Sequence, residues 1–142
     1  MTPEELLSFI HSPEGLAAAR DFLSSALRMD ALIAVKLARL DQMRSLHDRM
    51  KAAEGEDGAF AAAEGEVLAE YHALLDRQRE IGGVIRRVPD ERQRAILEMR
   101  YLQGLPFFRI AMALNYEERQ IYRLHKEALR HAAAVLAADE NS

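Results

Sequence analysis

The sequence predicts an all-α protein, and three observations support that prediction. The 142-residue chain is rich in Ala, Leu, Glu and Arg, which favour helices. Its four prolines lie at positions 3, 13, 89 and 106, so the stretches 14–88 and 107–142 contain none. Within these stretches apolar residues recur every three or four positions, which is the period of a helix face.

The first predicted elements are a short amphipathic helix over 3–10 and a long helix that begins at Ser12-Pro13. Ser12 suits the N-cap and Pro13 the first helical position. No helix breaker follows before Gly55, so a helix of about 37 residues, roughly 55 Å long, is expected. Its apolar stripe consists of Ile33, Leu37, Leu40, Met43, Leu46 and Met50.

A second long helix is predicted to cover this stripe. Residues 52–65 contain three glycines and are predicted to be a flexible connector. A further apolar stripe follows at Leu68, Tyr71, Leu75, Gln78, Ile85 and Val88. Because long helices joined by a loop usually fold back on each other, we expect residues 1–88 to form an antiparallel, coiled-coil-like hairpin. Gly82-Gly83 is expected to allow close packing or a kink, the alternative being a hinge.

Residues 89–138 are predicted to form a second domain of three helices, and 139–142 a short tail. Pro89 and Pro106 suit helix starts, and Gly104 suits a helix end. The predicted helices cover residues 91–102, 107–114 and about 117–137.

The last two of these helices have the layout of a helix-turn-helix, whose second helix enters the DNA major groove. Asn115 suits the turn because it tolerates left-handed backbone angles. Ile121 and Leu124 would hold the second helix on the core. Arginine and glutamine on its outward side can contact guanine and adenine edges, and the outward residues are Glu118, Arg119, Gln120, Tyr122, Arg123 and Lys126. The candidates for phosphate contacts are Arg109, Lys126 and Arg130. The alternative to DNA binding is that the second of these helices is an ordinary surface helix whose charged side chains are solvated by water.

Several classes of protein are excluded or disfavoured by composition. Without cysteine the chain has no disulfide, thiolate metal site or cysteine nucleophile. Its five histidines lack metal-ligand spacing, and no phosphate loop or nucleophile motif is present. We therefore expect no enzyme, metal or cofactor. The acidic N-terminus and the lack of a long apolar run predict a cytoplasmic protein that is not membrane-bound.

One segment of the chain resembles a known family. The pieces that carry the resemblance are 88–92 (VPDER), 97–105 (LEMRYLQGL), 110–114 (IAMAL), 119–124 (RQIYRL) and 128–130 (ALR). Together they resemble region 4 of sigma-70-family transcription factors over residues 85–130. The whole layout, a helical hairpin before such a domain, is similar to short phage and prophage transcription regulators. The resemblance implies a bacterial host cell and a base-reading role for residues 118, 119, 120, 122 and 123.

The sequence also departs from that pattern. Glu117 stands where sigma factors commonly cap the recognition helix with Thr or Ser. Pro106-Phe107-Phe108 replaces a polar helix start, and we expect one or both phenylalanine rings to pack against the hairpin. The alternative is that Phe108 is an exposed contact for a partner. No segment resembles sigma region 2, so a complete sigma factor is not expected.

The distribution of charge refines the expected function. The chain carries a net charge of −4, but residues 89–138 carry eight Lys/Arg against six Asp/Glu. So small an excess implies weak DNA affinity for one copy, which favours a homodimer through the hairpin or recruitment by RNA polymerase. We expect a phage- or prophage-derived regulator that binds double-stranded DNA. The alternatives are an interaction protein that binds RNA polymerase or a sigma partner, and a ring-forming phage DNA-packaging adaptor.

Overall fold

Helices account for nearly all of the residues that the structure describes, which confirms the all-α prediction. The structure is a computed structural model that describes residues 2–54 and 58–140, with side chains for 2–50 and 58–140. The helices are α1 (Pro3–Ile10), α2 (Pro13–Ser24), α3 (Met29–Glu54), α4 (Gly58–Arg86), α5 (Glu91–Leu97), α6 (Phe107–Leu114) and α7 (Glu118–Glu140). A 3₁₀ turn (Ser25–Arg28) precedes α3, and a π-helical turn (Glu98–Leu102) follows α5.

Side-chain caps begin the first two helices. The Thr2 hydroxyl accepts a hydrogen bond from Glu5 N, and the Glu5 carboxylate accepts one from Thr2 N, which makes a complete capping box. Ser12 Oγ accepts from Gly15 N at 3.1 Å, and Pro13 occupies the first turn of α2. The predicted start of the second helix at Ser12-Pro13 is therefore confirmed.

The expected uninterrupted helix over 14–50 is wrong. The α-helix stops at Ser24, and the chain passes through the 3₁₀ turn before α3 begins. Ser25 Oγ donates to the Phe22 carbonyl at 2.6 Å. Serine hydroxyls that bond back to the preceding turn weaken and bend helices, so Ser25 accounts for the interruption.

The chain divides into two compact units, and their boundaries differ from the predicted division at residue 88. The larger unit comprises Met1–Leu27 and Glu80–Ser142, and the α3–α4 unit comprises Arg28–Arg79. Residues 1–27 belong with the C-terminal helices because α1 and α2 bury Ile10, Ala19 and Leu23 in one core with Leu129 and Ala132 of α7. That core also receives Ile81, Val84, Ile85, Val88, Leu97 and Tyr101.

Within the α3–α4 unit the two helices run antiparallel. Asp30 accepts from Gln78 Nε2 at 2.9 Å, Lys36 pairs with Glu70, and Arg44 Nε donates to Glu64 at 2.8 Å. As the residue number rises along α3, the number of its partner on α4 falls, which is the pattern of antiparallel helices. The buried or half-buried positions facing this seam are spaced by three or four, namely Met29, Ile33, Lys36, Leu40, Met43 and His47.

The seam differs from the predicted apolar stripe. Leu37, Leu46 and Met50 were assigned to it, but all three are exposed. Lys36 and His47 take seam positions instead, because the Lys36 amine pairs with a carboxylate while its stem is covered, and His47 stacks on Phe60 at 3.8 Å.

The predicted flexible connector over 52–65 is mostly helical. The backbone of α3 continues to Glu54, and α4 begins at Gly58. Residues 59 and 61–63 are alanines, whose helix propensity outweighs the cost of Gly65. Residues 55–57 lie outside the described residues. The predicted tail also begins too early, since α7 extends to Glu140 and Asp139 forms a two-bond ion pair with Arg87 at 2.6 and 2.7 Å.

The glycines of the larger unit differ in whether close packing requires the absence of a side chain. A Cβ on Gly15 would lie 2.0 Å from the Phe9 carbonyl oxygen, so α1 and α2 meet there backbone to backbone. A Cβ on Gly83 would meet only the flexible Arg86 guanidinium, at 3.8 Å. A Cβ on Gly82 would meet the same guanidinium at 3.2 Å, so no neighbouring element requires glycine at either position, contrary to the expected close packing.

These glycines give a matched pair of substitutions. Gly15→Ala should lower the free energy of unfolding by about 1–3 kcal/mol, because the methyl group displaces α1 or α2. Gly83→Ala should raise it by about 0.5–1 kcal/mol, because alanine favours an unobstructed helix. Urea unfolding followed by circular dichroism measures both. A neutral Gly15→Ala would contradict the backbone-to-backbone contact.

Candidate nucleic-acid interface

The start of α6 is set by Pro106 rather than by a side-chain cap. The Pro106 carbonyl accepts from Arg109 N and Ile110 N at 3.0 and 3.2 Å. The helix is strongly one-sided, with Ile110 and Ala111 buried and Phe108, Arg109 and Met112 exposed. The small Ala111 lets the neighbouring helix approach closely.

A left-handed turn separates α6 from α7. Asn115 has φ 61° and ψ 45°, which confirms the predicted use of asparagine at this position. The turn is closed by Tyr116 N, which donates to the Ala111 carbonyl at 2.9 Å. Only Asn115 and Gly104 have positive φ among residues 2–54 and 58–140. Both lie in the short connections that flank α6, so they set its direction.

The first turn of α7 is capped from within. The Glu117 carbonyl accepts from Gln120 N and Ile121 N, and Gln120 Oε1 accepts from Glu117 N at 3.1 Å. This is one half of a capping box, the half supplied by a residue at the third helical position. Gln120 thus satisfies the N–H of Glu117, whereas a hydroxyl at position 117 would accept from an N–H of the first turn.

A separate apolar cluster fixes α5, α6 and α7 to one another. Its buried members are Ile96, Ile110, Ala111, Ile121 and Leu124. Ile121 and Leu124 are buried as predicted, which leaves the opposite side of the helix to solvent.

Phe107 belongs to this cluster and does not pack as predicted. Its ring lies 4.9 Å from the rings of Tyr122 and His125, and the Arg100 guanidinium lies 4.4 Å from its centre. Phe107 therefore fills the space between α7 and the π-helical turn. Phe108 stays 51% exposed, which agrees with the alternative weighed for it.

The exposed side of α7 carries a row of cations. At about 100° per residue, Arg119, Arg123, Lys126 and Arg130 fall within a sector of about 60°. The first three are exposed, and among the described residues their side chains form no hydrogen bond or ion pair. We call these four residues the α7 cationic stripe.

The remaining predicted site residues flank this stripe or lie apart from it. Glu118 and Tyr122 lie on one side of it, and Tyr122 is half covered by Phe107. Gln120 lies on the other side with its carbonyl oxygen engaged in the cap. Arg109 is exposed on α6 rather than on α7.

Arg130 ends the stripe in a different environment. It is half-buried, and its Nε is buried without a hydrogen-bond partner among the described residues. With Leu7, Ile10, His11, Glu127 and His131 it lines a cleft of about 400 Å³ between α1 and α7.

Sequence reasoning missed a buried polar contact beneath the site. The Tyr101 hydroxyl and His125 Nε2 share a hydrogen bond of 2.7 Å. Burial, assisted by the charges of Arg20 and Arg100, lowers the pKa of His125 to about 4, and burial raises the pKa of Tyr101. The two residues are 24 positions apart, so no local pattern could have paired them.

Two further observations concern absences among the described residues. No group of three or more His, Asp or Glu side chains is placed to hold a metal ion there. No helix of that part of the chain is long and apolar enough to cross a membrane.

The fold and site define an all-α protein with a two-helix unit and a unit that presents a cationic helix after a left-handed turn. Residues 60–133 match the family described as a protein of unknown function, DUF1492. The chain belongs to this family, and the matched segment runs from the start of α4 through most of α7. No curated protein and no solved structure matches the chain.

The buried histidine predicts a pH-dependent stability. Above about pH 6.5 His125 is neutral in both the folded and the unfolded chain, so it adds no pH dependence to the free energy of unfolding. As the pH falls from 6.5 to 4, the histidine takes up its proton only in the unfolded chain. The free energy of unfolding should therefore drop over this window, by up to about 3 kcal/mol from this residue. His125→Gln should remove this part of the slope in urea unfolding at several pH values. The exposed His72→Gln is the control, and an unchanged slope in His125→Gln would contradict the assignment.

Proposed function

We propose that this protein is a DNA-binding transcription regulator that reads a promoter element with α6 and α7. The observation that carries the proposal is the α7 cationic stripe. Three of its cations are exposed and lack acidic partners among the described residues, although the chain as a whole is acidic. A row of exposed cations about 10 Å long, from Arg119 to Lys126, suits the phosphates and base edges of a DNA groove.

The local backbone supports the same proposal. A short amphipathic helix, a tight turn and a longer helix with an exposed N-terminal half are the parts of a helix-turn-helix. Here these parts are α6, the Asn115 turn and α7. In the proposal α7 is the recognition helix, as the resemblance to sigma region 4 implies, and the antiparallel α3 and α4 correspond to the hairpin of phage regulators.

The exposed side chains suggest separate roles. Arg119 and Arg123 lie in the first two turns of α7, where a recognition helix meets base edges, and arginine suits guanine. Lys126 lies one turn further and Arg109 on the neighbouring helix, so we assign both to phosphates. The half-buried Arg130 would contact a phosphate only where the DNA backbone passes the cleft at α1.

An interaction protein is the second candidate, and one observation favours it. On α6 Phe108 is 51% and Met112 is 77% exposed, four residues apart on one side of the helix. Large apolar side chains exposed together often mark a protein contact. In this alternative the domain binds RNA polymerase or a sigma partner through α6 without reading DNA.

Selection from random duplex DNA with the purified full chain separates the two candidates. A regulator should enrich a motif, and Arg119→Ala combined with Arg123→Ala should abolish the enrichment while leaving the helical content unchanged, because outward-facing arginines contribute little stability. The control is Arg44→Ala with Arg79→Ala, which removes the same charge from exposed positions on α3 and α4. No enrichment by the native chain at low salt would refute the regulator and favour the interaction protein.

Salt dependence tests the proposed phosphate contact. Each phosphate contact adds about 0.9 to the slope of log affinity against log salt concentration. Lys126→Ala should therefore lower the slope by about 1 and weaken binding to all sequences alike. A changed motif with an unchanged slope would instead place Lys126 among the base readers.

A further inference from the structure

The cleft between α1 and α7 has both charged and apolar side chains in its walls. Both helices belong to the larger unit and pack against each other. The cleft volume of about 400 Å³ falls within the range of small-molecule sites, roughly 300–1,000 Å³. The lining residues are Leu7, Ile10 and His11 at the end of α1, and Glu127, Arg130 and His131 on α7.

The two side chains of opposite charge in this cleft are not paired with each other. Glu127 and Arg130 are three positions apart on α7, a spacing at which helical residues commonly form an ion pair. Both are half-buried, yet among residues 2–54 and 58–140 neither side chain forms a hydrogen bond or an ion pair. Each charge is therefore available to a molecule that enters the cleft.

Arg130 has the stronger need of a partner. Its Nε is buried and lacks an acceptor within the described part of the chain. A buried N–H without an acceptor destabilises the folded state, so an acceptor is expected to reach it. Because no described residue bonds the guanidinium, it can turn toward the opening and offer Nε and Nη side by side. A carboxylate binds such a pair of N–H groups through two parallel hydrogen bonds.

The remaining walls add apolar surface and imidazoles. Leu7 is 57% exposed on α1, and Ile10 is buried one turn further along. His131 Nδ1 donates to Oε1 of the buried Gln93, which orients the imidazole and uses one of its two ring nitrogens. His11 is exposed at the end of α1. The cleft therefore places one acid and one guanidinium beside an apolar wall.

We propose that this cleft binds a free α-amino acid with an apolar side chain. The ligand carboxylate binds the Arg130 guanidinium, the ligand ammonium group binds the Glu127 carboxylate, and the side chain lies on Leu7 and Ile10. A simple anion leaves the Glu127 charge without a partner, and a simple cation leaves Arg130 without one, so a zwitterion fits the lining best. The inference does not rest on DNA binding, and its tests contain no DNA.

Calorimetric titration of the full chain with L-leucine and three matched probes tests the class of ligand. Isocaproate keeps the side chain and carboxylate of leucine without the ammonium group, isoamylamine lacks the carboxylate, and glycine lacks the side chain. L-Leucine should bind, and each probe should bind at least about tenfold more weakly because each lacks one contact. No binding of L-leucine overturns the proposal. Equal binding of isocaproate also overturns it, since the cleft would then be a simple anion site.

Substitutions on α7 test whether the ligand lies in this cleft. Arg130→Met removes the charge and keeps an unbranched stem, and Glu127→Gln removes the charge and keeps the shape. Each should weaken L-leucine binding at least about tenfold with the helical content retained. Glu127→Gln is nearly isosteric, so it decides the question if Arg130→Met does not fold. The matched control is Arg123→Met, an exposed arginine two turns earlier on α7, which should bind as the native chain does. Unchanged binding in either cleft variant overturns the proposal.

Discussion

The packing of α7 against α2 is the constraint on which the candidate site depends. Ala19 of α2 and Ala132 and Ala133 of α7 are almost fully buried in one core, and Gly15 admits the backbone of Phe9 beside them. Small side chains let helices approach closely and bury both backbones. This half of α7 anchors the helix, and so the other half can carry four cations along one side above the buried Ile121, Leu124, His125, Ala128 and Leu129.

Local features of this structure were predictable because they are encoded by adjacent residues. Ser12 and Pro13 start α2, Gly104 and Asn115 take positive φ, and Ile121 and Leu124 face inward. The partners of the N-terminal helices were not predictable in the same way. A periodic pattern shows which side of a helix is apolar, but it does not show which other apolar side will cover it. Residues 1–27 were therefore assigned to the hairpin, whereas they pack on α7.

The α3 helix shows a second limit of pattern reading. It has apolar residues on more than one side, and a simple count of leucines and methionines merged the seam with the exposed Leu37, Leu46 and Met50 on either side of it. Lys36 and His47 occupy the seam because each has a specific partner on α4, Glu70 and Phe60.

In the candidate site the exposure of Arg119 and Arg123 followed from the helical period. The capping role of Gln120 and the half-buried state of Arg130 depend on three-dimensional neighbours.

The cap formed by Gln120 also restricts what this side chain can recognise. Its Oε1 already accepts from Glu117 N, so one of the two lone pairs of that oxygen is used and the cap fixes the orientation of the amide. Adenine is recognised bidentately by one donor and one acceptor of an amide, whereas O6 and N7 of guanine and O4 of thymine accept only. If α7 enters a major groove with its cap intact, Gln120 presents its amide to the bases in the one orientation that the cap allows. A sequence preference for adenine at that position would then require either that Oε1 accepts a second hydrogen bond in this orientation or that the cap opens.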